Sequence, residues 1–193
     1  MLYTDKHGMK LTELDQPDPE QFSIDEHERS KGVHLSDITK AMDEEMGTKF
    51  DSSWGEKSAL FIMGFLWERL LTRVMMKARV EKGMLISAGE HKMDGIYLTP
   101  DGMAIDEWEH EEWKCTWQSS NKDPMEFYRY WRQIKAGCLA LGTNVGVLRV
   151  LFVMGDYKGS GPLWKSWRAE FTDRELKENW DQIKNFARKK EMI

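Results

Sequence analysis

The sequence predicts an α/β domain built on a mixed β-sheet, and three observations predict it. Residues 58–80 hold an apolar stretch at helical spacing, far too long for a strand. Val145 to Met154 is a β-branched run of the kind that fills a central strand buried on both faces. Thr172 then opens a polar, helix-favouring segment to Lys190, with Glu175 placed three residues on to complete a capping box. Helices that alternate with strands of this kind pack on the faces of one sheet.

Residues 1–30 are polar, rich in acids and carry Pro17 and Pro19, which reads as an N-terminal arm; 31–193 reads as a single domain. Ser36 is a candidate N-cap for a short helix over Asp37 to Met46. The helix over 58–80 is apolar around most of its circumference, which predicts burial, and Glu68 sits inside that apolar stretch. Residues 92–99 read as a strand and Pro100-Asp-Gly102 as a turn, with a second strand through 103–117. Residues 124–141 read as a helix with Pro124 near its first turn and Gly142 after its end. Gly159 to Pro162 reads as a loop, and Leu163 to Phe171 as an edge strand with Trp164, Ser166 and Arg168 on one face.

Composition excludes several classes. At 193 residues, 40% hydrophobic and 32% charged, the chain can bury a core and is not of disordered type. No run of 18 apolar residues exists to span a membrane. Met1 to His7 lacks the apolar core of a secretory signal, and two cysteines, Cys115 and Cys138, make neither a disulfide framework nor a four-cysteine metal cluster. A reducing, cytoplasmic setting is expected. His34, His91 and His110 show no zinc-ligand spacing and read as surface or packing residues, and no Walker-type loop is present for ATP. The net charge of −5 argues against a general nucleic-acid binder, but it is unevenly spread: −7 over residues 1–60, −3 over 61–120 and +5 over 121–193. The last third could therefore meet a polyanion.

The chemistry-bearing stretch is Lys92 to Trp117. On a strand, Glu112 and Lys114 point to one face. An aspartate joining them across a hairpin would place two carboxylates side by side, which repel unless a cation lies between them. Pairing Asp94 with Glu112 centres the hairpin on 103, beside Pro100-Asp-Gly102; pairing Asp101 with Glu112 centres it between Asp106 and Glu107, where no Gly or Pro lies. The arithmetic favours Asp94 and leaves Asp101 open. Mg²⁺ suits such oxygen ligands, and a lysine beside them can orient a water and offset phosphate charge. The Cys115 backbone carbonyl would be a further donor. Glu68, on its apolar helix, needs a partner; Gln133 opens the inner face of the helix over 124–141.

These elements, in this order, resemble the PD-(D/E)xK nuclease superfamily, and within it the RecB-type and phage lambda-exonuclease-like branch. The resemblance covers residue 32 to the end and rests on Gly32-Val-His-Leu-Ser-Asp-Ile38, Gly64-Phe-Leu-Trp-Glu68, Met93-Asp94-Gly-Ile96, Glu112-Trp-Lys114-Cys-Thr-Trp117, and Tyr130-Trp-Arg-Gln133 with Ala140-Leu-Gly142. Three departures stand out: Met93 where proline is common, a literal Pro-Asp-Gly at Pro100-Asp101-Gly102, and Gly137 where this branch often has tyrosine. The cysteines of iron–sulfur relatives are absent, so no cluster is expected.

The resemblance implies a restriction-endonuclease-like fold, a mixed central β-sheet flanked by α-helices. It implies Mg²⁺ or Mn²⁺ on Asp94 and Glu112, with Glu68 completing the acidic cluster directly or through water. Lys114 would position the attacking water and Gln133 would orient Lys114 or substrate. The implied activity is a metal-dependent DNA nuclease, an exonuclease of recombination or repair in a bacterial or phage-infected cell, with a phage origin compatible with it. DNA is the expected partner, alongside a homo-oligomer or a recombination protein. Trp131, Arg132, Trp164, Trp167 and Arg168 are candidates for stacking or phosphate contact, with core packing as the competing role of the tryptophans. A non-catalytic DNA-binding or assembly protein on the same scaffold is the alternative, and a plain salt bridge between Glu112 and Lys114 a third.

Overall fold

The computed structural model describes residues 2–4, 10–12, 30–47, 64, 66, 67, 69, 70 and 77–193. Within the N-terminal stretch, β1 (Leu2–Thr4) pairs antiparallel with β2 (Lys10–Thr12). A short β3 (Val33–His34) runs straight into α1 (Leu35–Glu45). His34, not Ser36, is the N-cap, because the strand delivers the chain to the helix two residues earlier than the hydroxyl suggested.

The main sheet has five strands in the order β10–β9–β8–β7–β4: β4 is Leu85–Ile86, β7 Gly102–Ala104, β8 Glu109–Thr116, β9 Val145–Phe152 and β10 Leu163–Glu170. β8 and β9 are parallel and the remaining pairs antiparallel, so the sheet is mixed. Two parallel neighbours need a crossover, and a 3₁₀ turn (Pro124–Glu126) with a helix provides it. Numbering the helices in chain order, α2 is Lys77–Glu81, the crossover helix α3 is Tyr128–Leu141 and the last helix α4 is Asp173–Lys189. The capping box of α4 is present, with Thr172 and Glu175 bonded reciprocally. β3, β5 (His91–Met93) and β6 (Ile96–Leu98) form a separate three-stranded sheet.

Burial follows the strand period. Leu148, Val150 and Phe152 of β9 meet Ile134 and Cys138 of α3, together with Phe127 and Leu176. On the opposite face Trp113 packs with Trp67, Leu85 and Ala104. A third cluster joins α1, α3 and α4 to the small sheet through Leu35, Ile38, Ile96, Leu98, Ala136, Trp180, Ile183 and Ala187. The architecture is the expected one, a mixed central sheet with helices against it. No helix among the described residues is long and apolar enough to cross a membrane.

The all-round burial expected for residues 58–80 is not seen at the positions described. Trp67 is 3% exposed, whereas Leu66 and Leu70 are 50% and 41% exposed. Among the described residues Trp67 faces the sheet, while Leu66 and Leu70, four residues apart on one helical face, point outward together.

The hairpins also differ from expectation. Asp94 and Gly95 both have positive φ, 48° and 85°, and link Met93 to Ile96 as the two central residues of a tight turn. Aspartate followed by glycine is the pair such a turn favours, since both central residues must enter the left-handed region. The hairpin that carries Glu112 is the next one. Its register pairs Gly102 with Glu111 and Ala104 with Glu109, which centres it between Asp106 and Glu107. No glycine marks that turn; Trp108 takes the left-handed position at φ 54°. Tertiary contacts hold it there: the Trp108 indole N–H donates to the Gly142 carbonyl (3.3 Å), and the Thr143 hydroxyl donates to the Trp108 carbonyl (2.6 Å). Arg79 adds ion pairs to Asp106 (2.8 Å) and Glu107 (3.0 Å).

Behind β8, the fully buried Glu111 is held by a two-pronged pair with Arg149 of β9, at 2.6 and 2.7 Å. Removing the cation strands a buried carboxylate. Arg149→Leu is expected to lower unfolding stability by about 3–5 kcal/mol in urea titrations. A loss below about 1 kcal/mol would show that water or Arg79 compensates Glu111 instead.

Candidate active site

β8 alternates its side chains between two environments. Glu109, Glu111, Trp113 and Cys115 face the Trp67 side; His110, Glu112, Lys114 and Thr116 face α3. The β7–β8 register continues to place Asp101, one residue before β7, level with Glu112. The contacts agree. The Lys114 ammonium lies between two carboxylates, in a short ion pair with Glu112 Oε1 and 3.3 Å from Asp101 Oδ2. The same Asp101 oxygen accepts the Trp113 backbone N–H at 2.6 Å, which fixes the carboxylate against the strand.

Glu112 is buried at 4% exposure, and the Lys114 side chain is 22% exposed. Burial pushes the Glu112 carboxyl upward, but the Lys114 ammonium and the His110 ring outweigh it and hold it down at about 2. Burial likewise works against the Lys114 charge, and the Asp101 and Glu112 carboxylates raise it above the ordinary lysine range. The cluster therefore stands as two carboxylates around one ammonium at neutral pH. Such an ammonium cannot take a proton; it can orient a water or neutralise charge that develops on a substrate.

Asp94, the aspartate favoured by the hairpin arithmetic, does not join this cluster. As a turn residue of the small sheet it accepts the Trp180 indole N–H at 2.7 Å and pairs with Lys184 at 3.3 Å, both on α4. Its carboxyl is held low by those two partners, foremost Trp180. Gln133 faces α1 and donates to the Thr39 hydroxyl at 3.3 Å. Glu68 lies outside the described residues. The Cys115 thiol packs on the Trp67 side. The Thr116 carbonyl accepts Val153 N–H on the β9 side, and carbonyls alternate along a strand, so the Cys115 carbonyl lies on the edge of β8 away from β9. Of the candidate DNA contacts, Trp131 donates to the Pro124 carbonyl at 2.7 Å and Trp167 packs between Phe127 and Phe152. Trp164 stands edge-on to Trp67. Arg132 is paired with Asp43 at 2.7 Å, and Arg168 with Glu109 at 2.6 Å.

No family model matches the chain, and no curated protein does. Among solved structures, it is similar to an alkaline exonuclease from Laribacter hongkongensis, with a TM-score of 0.48 at 15% identity over 82% of this chain and 87% of that one. The same enzyme in complex with dAMP gives 0.49 at 16% identity, over 82% and 87%. A phage-related exonuclease from Haemophilus somnus 129PT gives 0.49 at 14% identity, over 89% and 95%.

Two further residues stand beside the Glu112–Lys114 pair without a motif that marks them as site residues. Tyr130, stacked on Phe127 in the first turn of α3, lies close to Lys114. His110 is fully buried, with Nε2 3.3 Å from Glu112 Oε2. The two-residue period that groups Glu112 with Lys114 reaches back to His110, and that was its available signal.

The Asp101 and Glu112 carboxylates, drawn together on Lys114, are hard-oxygen donors of the sort a divalent cation takes, and in donor chemistry they fit Mg²⁺ or Mn²⁺. Among the described residues no group of three His, Cys, Asp or Glu side chains assembles as a metal-ligating cluster.

Proposed function

We propose that this chain is a divalent-metal-dependent DNA nuclease that hydrolyses phosphodiester bonds, working as an exonuclease in recombination or repair. One observation carries the reading: the Lys114 ammonium set between the Asp101 and Glu112 carboxylates on the central strand of the main sheet. Asp101 and Glu112 would hold Mg²⁺ or Mn²⁺, with the Cys115 carbonyl as a further donor. When bound, the ion supplies positive charge against the phosphodiester and makes a nearby water more acidic.

The chain's own residues do the rest. Lys114, already protonated, donates a hydrogen bond to the attacking water and offsets charge on the phosphate oxygens. Burial of Glu112 keeps the site's dielectric low, so each of these interactions exceeds its value in open water. The Trp113 N–H restrains Asp101 in one orientation before substrate arrives, which limits reorganisation during the reaction.

Purified protein given labelled single- and double-stranded DNA with Mg²⁺ or Mn²⁺ is expected to release nucleotides, and to stop when EDTA removes the metal. DNA left intact across both metals, both substrates and a broad pH range would reject the reading.

A further inference from the structure

Trp131, Trp164 and Trp167 are occupied in packing against other rings, whereas Trp117 and Tyr157 are 36% and 59% exposed. Both stand where the parallel strands β8 and β9 end. Trp117 directly follows β8, three residues and about 10 Å along the chain from Lys114, and Tyr157 lies in the loop between β9 and β10. In open α/β sheets ligands sit beyond the carboxyl ends of such strands. The loop is held at several points. The Tyr157 hydroxyl donates to the Trp117 carbonyl, the Ser120 N–H donates to the Gly155 carbonyl at 2.8 Å, and Asp156 accepts the Lys158 N–H and the Ser160 hydroxyl, each at 2.8 Å. Gly155 leaves no room for a side chain, since a Cβ there would stand 2.1 Å from the Gly161 carbonyl oxygen. Within this frame Tyr157 takes a left-handed backbone, φ 62°, which is unfavourable for a bulky residue and easy for glycine. Burial does not offset that strain for a side chain so exposed, and strain of this kind concentrates at ligand sites.

We propose that Trp117 and Tyr157 form a stacking platform for the unpaired bases of a DNA strand that reaches Lys114. The inference rests on the nuclease reading and names the form of its substrate, a single-stranded end. Every base offers a π face, so aromatic rings at a fixed place grip a strand whatever its sequence. The charge around them suits a phosphate backbone. Residues 117–131 and 153–165 carry four basic residues, Lys122, Arg129, Lys158 and Lys165, against three acidic ones, Asp123, Glu126 and Asp156. Two of those acids are engaged by their own loops: Asp123 accepts the Met125 N–H, as Asp156 accepts that of Lys158. Lys158, next to Tyr157 in the chain, is exposed.

The full chain in EDTA, which keeps cleavage out of the measurement, is titrated into labelled oligo-dT and into a blunt duplex of equal length, with fluorescence anisotropy as the readout. Tyr157→Gly removes the ring and suits the left-handed backbone, so its thermal transition should stay near that of the wild type. Tyr157→Gly and Trp117→Ala are each expected to weaken oligo-dT binding by about 5–100-fold and duplex binding far less, while Tyr157→Phe and Trp117→Phe, which keep a ring, retain most of the affinity. With Mg²⁺ present, the two ring-removing variants should raise KM for single-stranded DNA more than they lower kcat. Wild-type oligo-dT affinity in Tyr157→Gly would overturn the inference, as would equal weakening on both DNAs or a wild type with no affinity for oligo-dT. A wild-type dimer that Tyr157→Gly dissociates would also overturn it, by giving the surface to a second copy of the chain. A wild type that binds oligo-dT through both rings but cuts no DNA would overturn the nuclease reading and leave the stacking surface standing.

Discussion

Lys114→Ala is expected to lower turnover on DNA by about 10²–10⁴-fold while Mn²⁺ still binds. The ammonium is the positive centre of the cluster, bonded to Glu112 and 3.3 Å from Asp101, and alanine replaces neither its charge nor its donors. Metal binding survives because both carboxylates remain, and they no longer share their oxygens with an internal cation. The metal-free variant should melt earlier than wild type, since Glu112 then sits buried at 4% exposure without its main counter-charge. Mn²⁺ should recover much of that loss, because an ion bound only by the folded state stabilises it. Single-turnover cleavage, calorimetry and thermal melts with and without Mn²⁺ read the three effects. Cleavage by Lys114→Ala at the wild-type rate would remove Lys114 from the chemistry.

The second large effect separates two aspartates. Asp101→Asn should weaken Mn²⁺ binding and cut turnover by on the order of 10²-fold or more, since one anionic donor of two is lost. The Trp113 N–H can still find the amide oxygen, so the strand should hold. Asp94→Asn should leave turnover within about two-fold, a small shift in barrier height. Asparagine tolerates the left-handed backbone that Asp94 adopts at φ 48°, and it can still accept the Trp180 indole. Side-by-side kcat and Mn²⁺ titrations decide the matter. Loss of activity in Asp94→Asn with Asp101→Asn intact would restore the assignment that hairpin arithmetic favoured.

That arithmetic failed for an identifiable reason. It sought the turn at a proline or glycine, and Pro100-Asp101-Gly102 supplied both. The Asp94-Gly95 pair is itself a complete turn signal and consumes the earlier strand stretch in a small hairpin. The turn that matters, Ile105 to Trp108, carries no local signal. It is held by Gly142, Thr143 and Arg79, which lie 27 to 35 residues away in sequence. Gln133 shows the same limit: helical spacing gave it an inward face, and only the packing of α1 decided that this face meets Thr39. His110 lacks zinc-ligand spacing, yet the strand period puts it on the same face as Glu112, 3.3 Å from its Oε2.

By itself the sequence determined the strand that carries Glu112 and Lys114, the central strand Val145–Phe152, the edge strand after it, and the capped last helix. Those features depend on backbone sterics, side-chain period and capping within a few residues, all of which are local. Tertiary structure decided which aspartate stands beside Glu112, where Gln133 points, and that a histidine fits over Gly137. Each of those outcomes depends on strand register or helix docking, and such long-range contacts are fixed only when separate elements compete to bury the same surface.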